Sequence, residues 1–242
     1  MRLVVARSVT AVLSLMMFVV PVAAWADGNT GHGRNPSVVP ADEVAGNTGG
    51  ELVGDWFVDN LSLPADASPF GGAANLCLGL GRHGRVLAPA GGIADANGRI
   101  EMSCTVKAGR PVVMILTSAD CSTGEPPPFY AATPKQQRAC VVENLETAGV
   151  TSILVSVDGG RPVDVHRHRF FEISPQRHVV YPQNPVFGAT PGPADFVAAA
   201  WMAQIRGMHR GQHTVESDIA FTSNGQTAVY PFVVHFTVVG RA

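Results

Sequence analysis

The clearest regularity in the chain lies near its end, where Tyr230, Phe232, Val234, Phe236 and Val238 recur at a period of two. That period sends alternate side chains to opposite faces of a strand. Gln212 to Phe221 precedes it, and Asn224-Gly225 between them supplies the residues a tight positive-φ turn demands, so a closing hairpin is predicted. Further back, Thr151, Ile153, Val155 and Val157 share one face of a strand that Asp158-Gly159 reverses. The chain is then expected to return through Val163 to Ile173 as one partner strand. From Glu51 onward apolar runs recur between turn clusters such as Pro69-Phe70-Gly71-Gly72, Ala90-Gly91-Gly92 and Asp158-Gly159-Gly160.

Two segments follow a helical period instead. Thr133-Pro134-Lys135-Gln136 combines an N-cap Thr, a Pro in the first turn and a Gln three residues after the cap. This predicts a helix from Pro134 to Thr147, with Gly149 just beyond its end. From Pro193 to Arg206, Phe196, Val197, Ala200, Trp201 and Ile205 recur at helical spacing and Gly207 offers a stop, so a second short helix is expected there. Many strands and two short helices predict a mainly β fold: a two-sheet antiparallel sandwich, immunoglobulin-like or jelly-roll.

The two ends of the region before Glu51 differ in kind. Arg2 and Arg7, the apolar stretch Val9 to Val22 and the small-x-small Ala24-Trp25-Ala26 read as a signal peptide over 1–26, with cleavage before Asp27. Residues 27–50 are rich in Gly, Asn, Pro, Ser and Thr and read as a flexible linker, leaving 51–242 as a single β-sandwich domain. No later run is long and apolar enough to span a bilayer, so the mature chain is expected to carry no membrane span.

Charge narrows the partners. Only 15% of the 242 residues are charged, against about a quarter in an ordinary domain. Loss of Arg2 and Arg7 with the leader lowers 17 basic residues to 15 against 19 acidic ones. Nucleic acid is therefore not an expected partner, because a phosphate grip needs clustered positive charge. Cys77, Cys104, Cys121 and Cys140 all follow the leader, and an even count in an oxidising compartment predicts two disulfides. No C-x-x-C spacing is present to favour zinc, and nearest-neighbour pairing, Cys77 with Cys104 and Cys121 with Cys140, is the simplest of three connectivities.

In order of features, Val155-x-Val157-Asp158-Gly159, Asn184-x-x-Phe187-Gly188, the Trp201 segment ending at Gly207, and Gly211-x-His213-Thr214-Val215 resemble a group of uncharacterised secreted bacterial β-sandwich proteins. Gly-x-His-Thr-Val is also similar to the penultimate strand of bacterial immunoglobulin-like modules. The resemblance implies a fold and a compartment and no activity. Separately, Gly160-x5-His166-x-His168-x3-Glu172 is similar to the first cupin motif, although Val179 stands where that motif has Gly. This implies a divalent metal held by His166, His168 and Glu172, with His213 as a further ligand. The same spacing also reads as a plain solvated face, with Val163, Val165, Phe171 and Ile173 on the core side.

Other chemistry is sparse. No G-x-S-x-G elbow is present, nothing singles out two of the 19 acids as a catalytic pair, and Asp55, Asp59 and Asp66 read as loop residues without calcium-loop order. Trp56 and Trp201 are expected in the core, and His235 is expected to face solvent or a paired polar group. The sequence is thus read as a secreted, non-enzymatic β-sandwich module with no cofactor and a protein or cell-surface partner. The alternative is a cupin-like protein or enzyme that uses a divalent metal on a small molecule.

Overall fold

The computed structural model describes residues 36–72, 75–91, 94–95 and 97–240. The expected signal peptide and its cleavage point lie outside the described residues. In chain order the described part runs through β1 (Ser37–Pro40), β2 (Glu43–Val44), β3 (Asn47–Thr48) and α1 (Gly49–Leu61), then β4 (Leu76–Leu80), β5 (Val86–Ala90), β6 (Ile100–Lys107) and β7 (Val112–Ser122). After these come α2 (Pro134–Thr147), the hairpin of β8 (Val150–Val157) and β9 (Val163–Asp164), and two short strands, β10 (Phe171–Ile173) and β11 (Arg177–Tyr181). Three long strands close the chain: β12 (Gly192–Arg206), β13 (Gly211–Ser223) and β14 (Gln226–Val239).

The fold is mainly β and sandwich-like. A seven-stranded sheet is built on β12: β7, β5 and β4 extend it on one side, while β1, β10 and β11 pair in turn along the other edge of β12. A five-stranded sheet has the order β6-β14-β13-β8-β9. Most pairs are antiparallel, as expected, but β5 with β7 and β6 with β14 run parallel, so both sheets are mixed. The closing hairpin forms in register from Gly211 opposite Val238 to Ser223 opposite Gln226, with Asn224 and Gly225 at φ 50° and 75°. Asp158 and Gly159 turn the β8–β9 hairpin at φ 51° and 68°.

Three apolar clusters hold the layers together. Alternate residues of β12, Phe196, Ala198, Ala200 and Met202, pack with Val113 and Ile115 against α1. On the opposite face Ala203 and Ile205 join Val112 and Met114 against Ile153, Val155, Val215, Val234 and Phe236 of the smaller sheet. Farther along that same face, Val197 and Ala199 meet Val141 and Leu145 of α2. One layer therefore holds α1, the middle layer is the large sheet, and the third is shared by the small sheet and α2.

This burial explains the main departure from expectation. Residues Pro193 to Arg206 form strand β12 and not a helix, because the strand is covered on both faces and has lost the polar alternation that marks a half-buried strand. Its long apolar run then satisfies a helical template by default.

Helix α1 is the second departure. Part of the expected linker, Ser37 to Gly50, is folded: β1 pairs with Val38-to-Ile205 register on β12, and Thr48 caps α1. Thr48 Oγ1 accepts the Glu51 N–H at 3.2 Å while Glu51 Oε2 accepts the Thr48 N–H at 2.8 Å, a complete capping box. Leu52, Val53, Trp56, Phe57 and Leu61 are buried on one stripe, each worth roughly 1.5–3 kcal/mol of apolar burial. That outweighs the helix penalty of Gly49 and Gly50, about 1 kcal/mol apiece. The two glycines are required because Glu172 and the Ile173 carbonyl pass directly against them.

Both disulfides form with nearest-neighbour pairing. Cys77–Cys104 joins β4 of the large sheet to β6 of the small one, with Cα atoms 5.8 Å apart, and Cys121–Cys140 fastens α2 to β7 at 6.1 Å. Helix α2 occupies Pro134–Thr147 with Thr133 as its cap, as the sequence predicts. Among the described residues no helix is long and apolar enough to cross a membrane.

Candidate functional site

A bulge in β7 creates the most unusual chemistry in the molecule. Opposite β12, Ala200 faces Ser118 but Met202 faces Ile115, so β7 carries one extra residue in that interval. The inward alternation of Val113 and Ile115 would otherwise continue to Thr117, Ala119 and Cys121. With the bulge, Cys121 turns to the α2 side, where it bonds Cys140, and Asp120 turns to the α1 side opposite Ala198. An acid is thereby set into an apolar layer.

The loop after β7 brings a second acid to it. Ser122 Oγ accepts the N–H groups of Gly124 and Glu125 at 3.2 and 3.0 Å, and the Ser122 backbone pairs with Phe129 and Ala131 at 3.0 and 2.9 Å, so the loop folds back on its own strand. Gly124 is needed in this turn, since a Cβ there would sit 2.8 Å from the Tyr181 ring. Glu125 lands beside Asp120, near enough for each acid to act on the other. Each is only 4% exposed. Among the described residues Asp120 Oδ2 and Glu125 Oε2 receive no donor.

Two carboxylates in contact and out of water cannot both ionise at ordinary cost. Burial, then the Glu125 charge, lifts Asp120 well above the usual carboxylate range, and burial lifts Glu125 to about 6. One proton retained by the pair keeps two dehydrated negative charges from facing each other. Tyr181 donates its hydroxyl to Ser122 Oγ at 3.3 Å, and burial beside the two acids pushes its ionisation upward, so it stays neutral.

Above the pair opens a cavity of about 210 Å³ lined by Phe57, Phe70, Phe129 and Phe187, with Ser118, Ala119, Asp120 and Glu125. Phe57 comes from α1 and packs 5.6 Å from Phe70, which in turn lies 5.2 Å from Phe187. Phe129 and Phe187 are 37% and 48% exposed, so they form the mouth. Phe187 is held at φ 58°, a left-handed conformation that a bulky residue adopts only under constraint. A wider depression of about 680 Å³ runs along α2 past Gln136, Glu143 and Asn144. Its acid, Glu143, is exposed to water, so the smaller cavity with its two buried acids is the better-equipped site.

The residues singled out from the sequence are dispersed. The predicted return strand Val163 to Ile173 is broken: β9 stays in the small sheet, a 3-10 turn spans His168–Phe170, and β10 pairs in the large sheet. Val165 and Phe170, both fully buried, anchor the chain as it crosses between the sheets. His166 lies against Trp201, ring centroids 4.6 Å apart, while His168 is exposed in the turn. Glu172 lies over the start of α1, where it accepts the Gly50 N–H, and burial with nearby Asp42 raises it to about 7. His213 is in β13 with Nδ1 2.7 Å from Asp158 Oδ2 and Nε2 2.8 Å from the His209 carbonyl, so both ring nitrogens are engaged. Among the described residues no group of three or more His, Cys, Asp and Glu side chains is placed to hold a metal ion.

Other expectations resolve individually. Trp56 is core, 6% exposed, with Nε1 donating to the Pro89 carbonyl at 3.3 Å. His235 pairs with Glu101 Oε1 at 2.8 Å. Asp55 and Asp59 lie on α1, not in a loop, and Asp55 forms an ion pair with Arg177. The carboxyl pair itself is missed by motif reading, because Asp120 and Glu125 match no spacing rule. The available signal is an acid inside the apolar run Val112 to Cys121.

No protein-family model matches the chain, and no curated protein matches it. Among solved structures, the solution structure of amebosin is 11% identical with a TM-score of 0.19 and covers 56% of this chain and 88% of its own. The structure of PbICP-C in complex with falcipain-2 is 8% identical with a TM-score of 0.24, covering 65% and 99%. Likeness at this level carries no inference about this chain.

Proposed function

We propose that the chain is an exported, non-enzymatic β-sandwich module that binds a small ligand in the cavity above Asp120 and Glu125. The observation that carries this reading is a buried carboxyl pair with two donor-less oxygens at the floor of an aromatic-lined opening. Burying such a pair opposes folding, and groups that oppose folding concentrate where a ligand uses them. The lining offers apolar surface, two carboxyls and the Ser118 hydroxyl but no His, Lys or Cys, which equips it for recognition more than for turnover. Two disulfides and the leader read from the sequence support a life in an oxidising, extracytoplasmic compartment.

The test is protein-observed NMR of the oxidised chain against a panel of neutral, cationic and anionic aromatic fragments. Shifts confined to Ser118–Glu125 and to the rings of Phe57, Phe70 and Phe187 are expected for at least one fragment. A panel that leaves those resonances unmoved at millimolar concentration refutes the site, and conversion of any bound fragment refutes the non-enzymatic part.

A further inference from the structure

We infer that the ligand is a small organic ammonium ion, whose charged head lies against Asp120 and Glu125 and whose body lies against the four phenylalanine rings. This rests on the cavity reading above. The first ground is hydrogen bonding: Asp120 and Glu125 both line the cavity, among the described residues each has a buried carboxyl oxygen without a donor, and an ammonium head supplies up to three N–H donors from one atom once the pair turns toward it. Charge is the second. The groups acting on the pair are the two carboxyls themselves, Ser122, a backbone N–H at Asp120 and the neutral Tyr181 from β11, and among the described residues no basic side chain bears on either acid. Phe57 from α1 and Ala198 from β12, which pack on the pair's other sides, carry no charge. A cation is thus met by uncompensated negative charge, and an anion by repulsion.

The third ground is the wall. Phenylalanine rings attract cations and offer no hydrogen bonds, so the two at the mouth and the two deeper in the cavity favour an ammonium and its hydrocarbon body over a phosphate. The volume then limits size. About 210 Å³ is the share of about seven water molecules and falls below the roughly 300–1,000 Å³ of drug-sized sites, so the ligand is a compact amine. Two carboxyls alone also make a poor cage for calcium, which takes 6–8 oxygens.

Proton linkage gives the inference its signature. An ammonium ion bound between two ionised carboxyls must expel the proton they share, so binding releases a proton and strengthens as pH rises from 5 to 8. The probes are benzylammonium, neutral benzyl alcohol and anionic benzoate, titrated calorimetrically into the oxidised chain in buffers of different ionisation enthalpy. Benzylammonium is expected to bind at least about tenfold more tightly than benzyl alcohol, with proton release, and benzoate not at all. Asp120→Asn or Glu125→Gln, each near-isosteric and checked for folding by circular dichroism, leaves one acid and is expected to weaken benzylammonium and narrow its advantage over benzyl alcohol, and the double variant Asp120→Asn plus Glu125→Gln abolishes both the proton release and the preference for charge. Phe187→Ala weakens benzylammonium on the order of two- to thirty-fold. Equal or tighter binding of benzyl alcohol overturns the ammonium assignment and leaves the cavity reading standing. Failure of all three probes to bind the folded wild-type protein overturns both.

Discussion

Replacing Glu125 by Gln should change how stability depends on pH, and the structure sets the size. Glu125 binds its proton more tightly folded than unfolded, having risen from 4.5 to about 6. Its contribution is therefore complete below pH 4.5 and is lost as pH climbs through about 6, because the unfolded chain releases the proton first. At 1.36 kcal/mol per pH unit this is a loss of about 2 kcal/mol by pH 7.5, and Asp120 acts in the same direction. In Glu125→Gln the residue at 125 no longer titrates, so the Glu125 share of the neutral-pH loss disappears while that of Asp120 remains. Urea titrations at pH 4.5, 6 and 7.5, followed by the fluorescence of buried Trp56, give the unfolding free energies by linear extrapolation. Relative to wild type, the variant should gain about 2 kcal/mol between the lowest and highest pH, or about 4–8 °C in thermal midpoint. Glu172, raised to about 7, bends both profiles alike and cancels in the difference. Parallel profiles for the two proteins would refute the account of a buried, proton-sharing pair.

Two further predictions concern the scaffold that holds the cavity. Gly50→Ala drives a Cβ into the Ile173 carbonyl, a backbone atom that cannot swing aside. It should destabilise the chain by roughly 1–3 kcal/mol despite a better helix propensity, and an unchanged urea midpoint would count against the close packing of α1 on β10. Replacing Cys121 and Cys140 together by Ala opens a loop of 19 residues, which should cost about 3 kcal/mol. Amide exchange should then rise first in α2, and uniform protection across α2 and the sheets would contradict its dependence on that bond.

Legibility followed locality. The β13–β14 hairpin, the Asp158-Gly159 turn and the capped helix α2 all appear where the residue pattern placed them, because each is specified by neighbours in sequence: alternation, a positive-φ dipeptide, a Thr-Pro-x-Gln start. Nearest-neighbour pairing of the cysteines also held. Helix α1 carried a readable signal in Thr48-x-x-Glu51, masked by two glycines whose purpose is a contact with β10, more than 120 positions away.

The features that matter most for function depend on partners distant in the chain. Strand β12 lost its alternation because α1 covers one face and the small sheet and α2 cover the other, and a one-dimensional period cannot register two-sided burial. The strand expected to carry the cupin-like motif was broken when Val165 and Phe170 were buried in the core between the sheets, with His168 left in an exposed turn. Asp120 became a buried acid through one extra residue in β7, a register shift defined only against β12. Composition and local pattern were thus enough for a disulfide-bearing β fold, since strands, turns and caps draw on short-range preferences. Which acid is dehydrated, and beside which ring, is set by long-range packing.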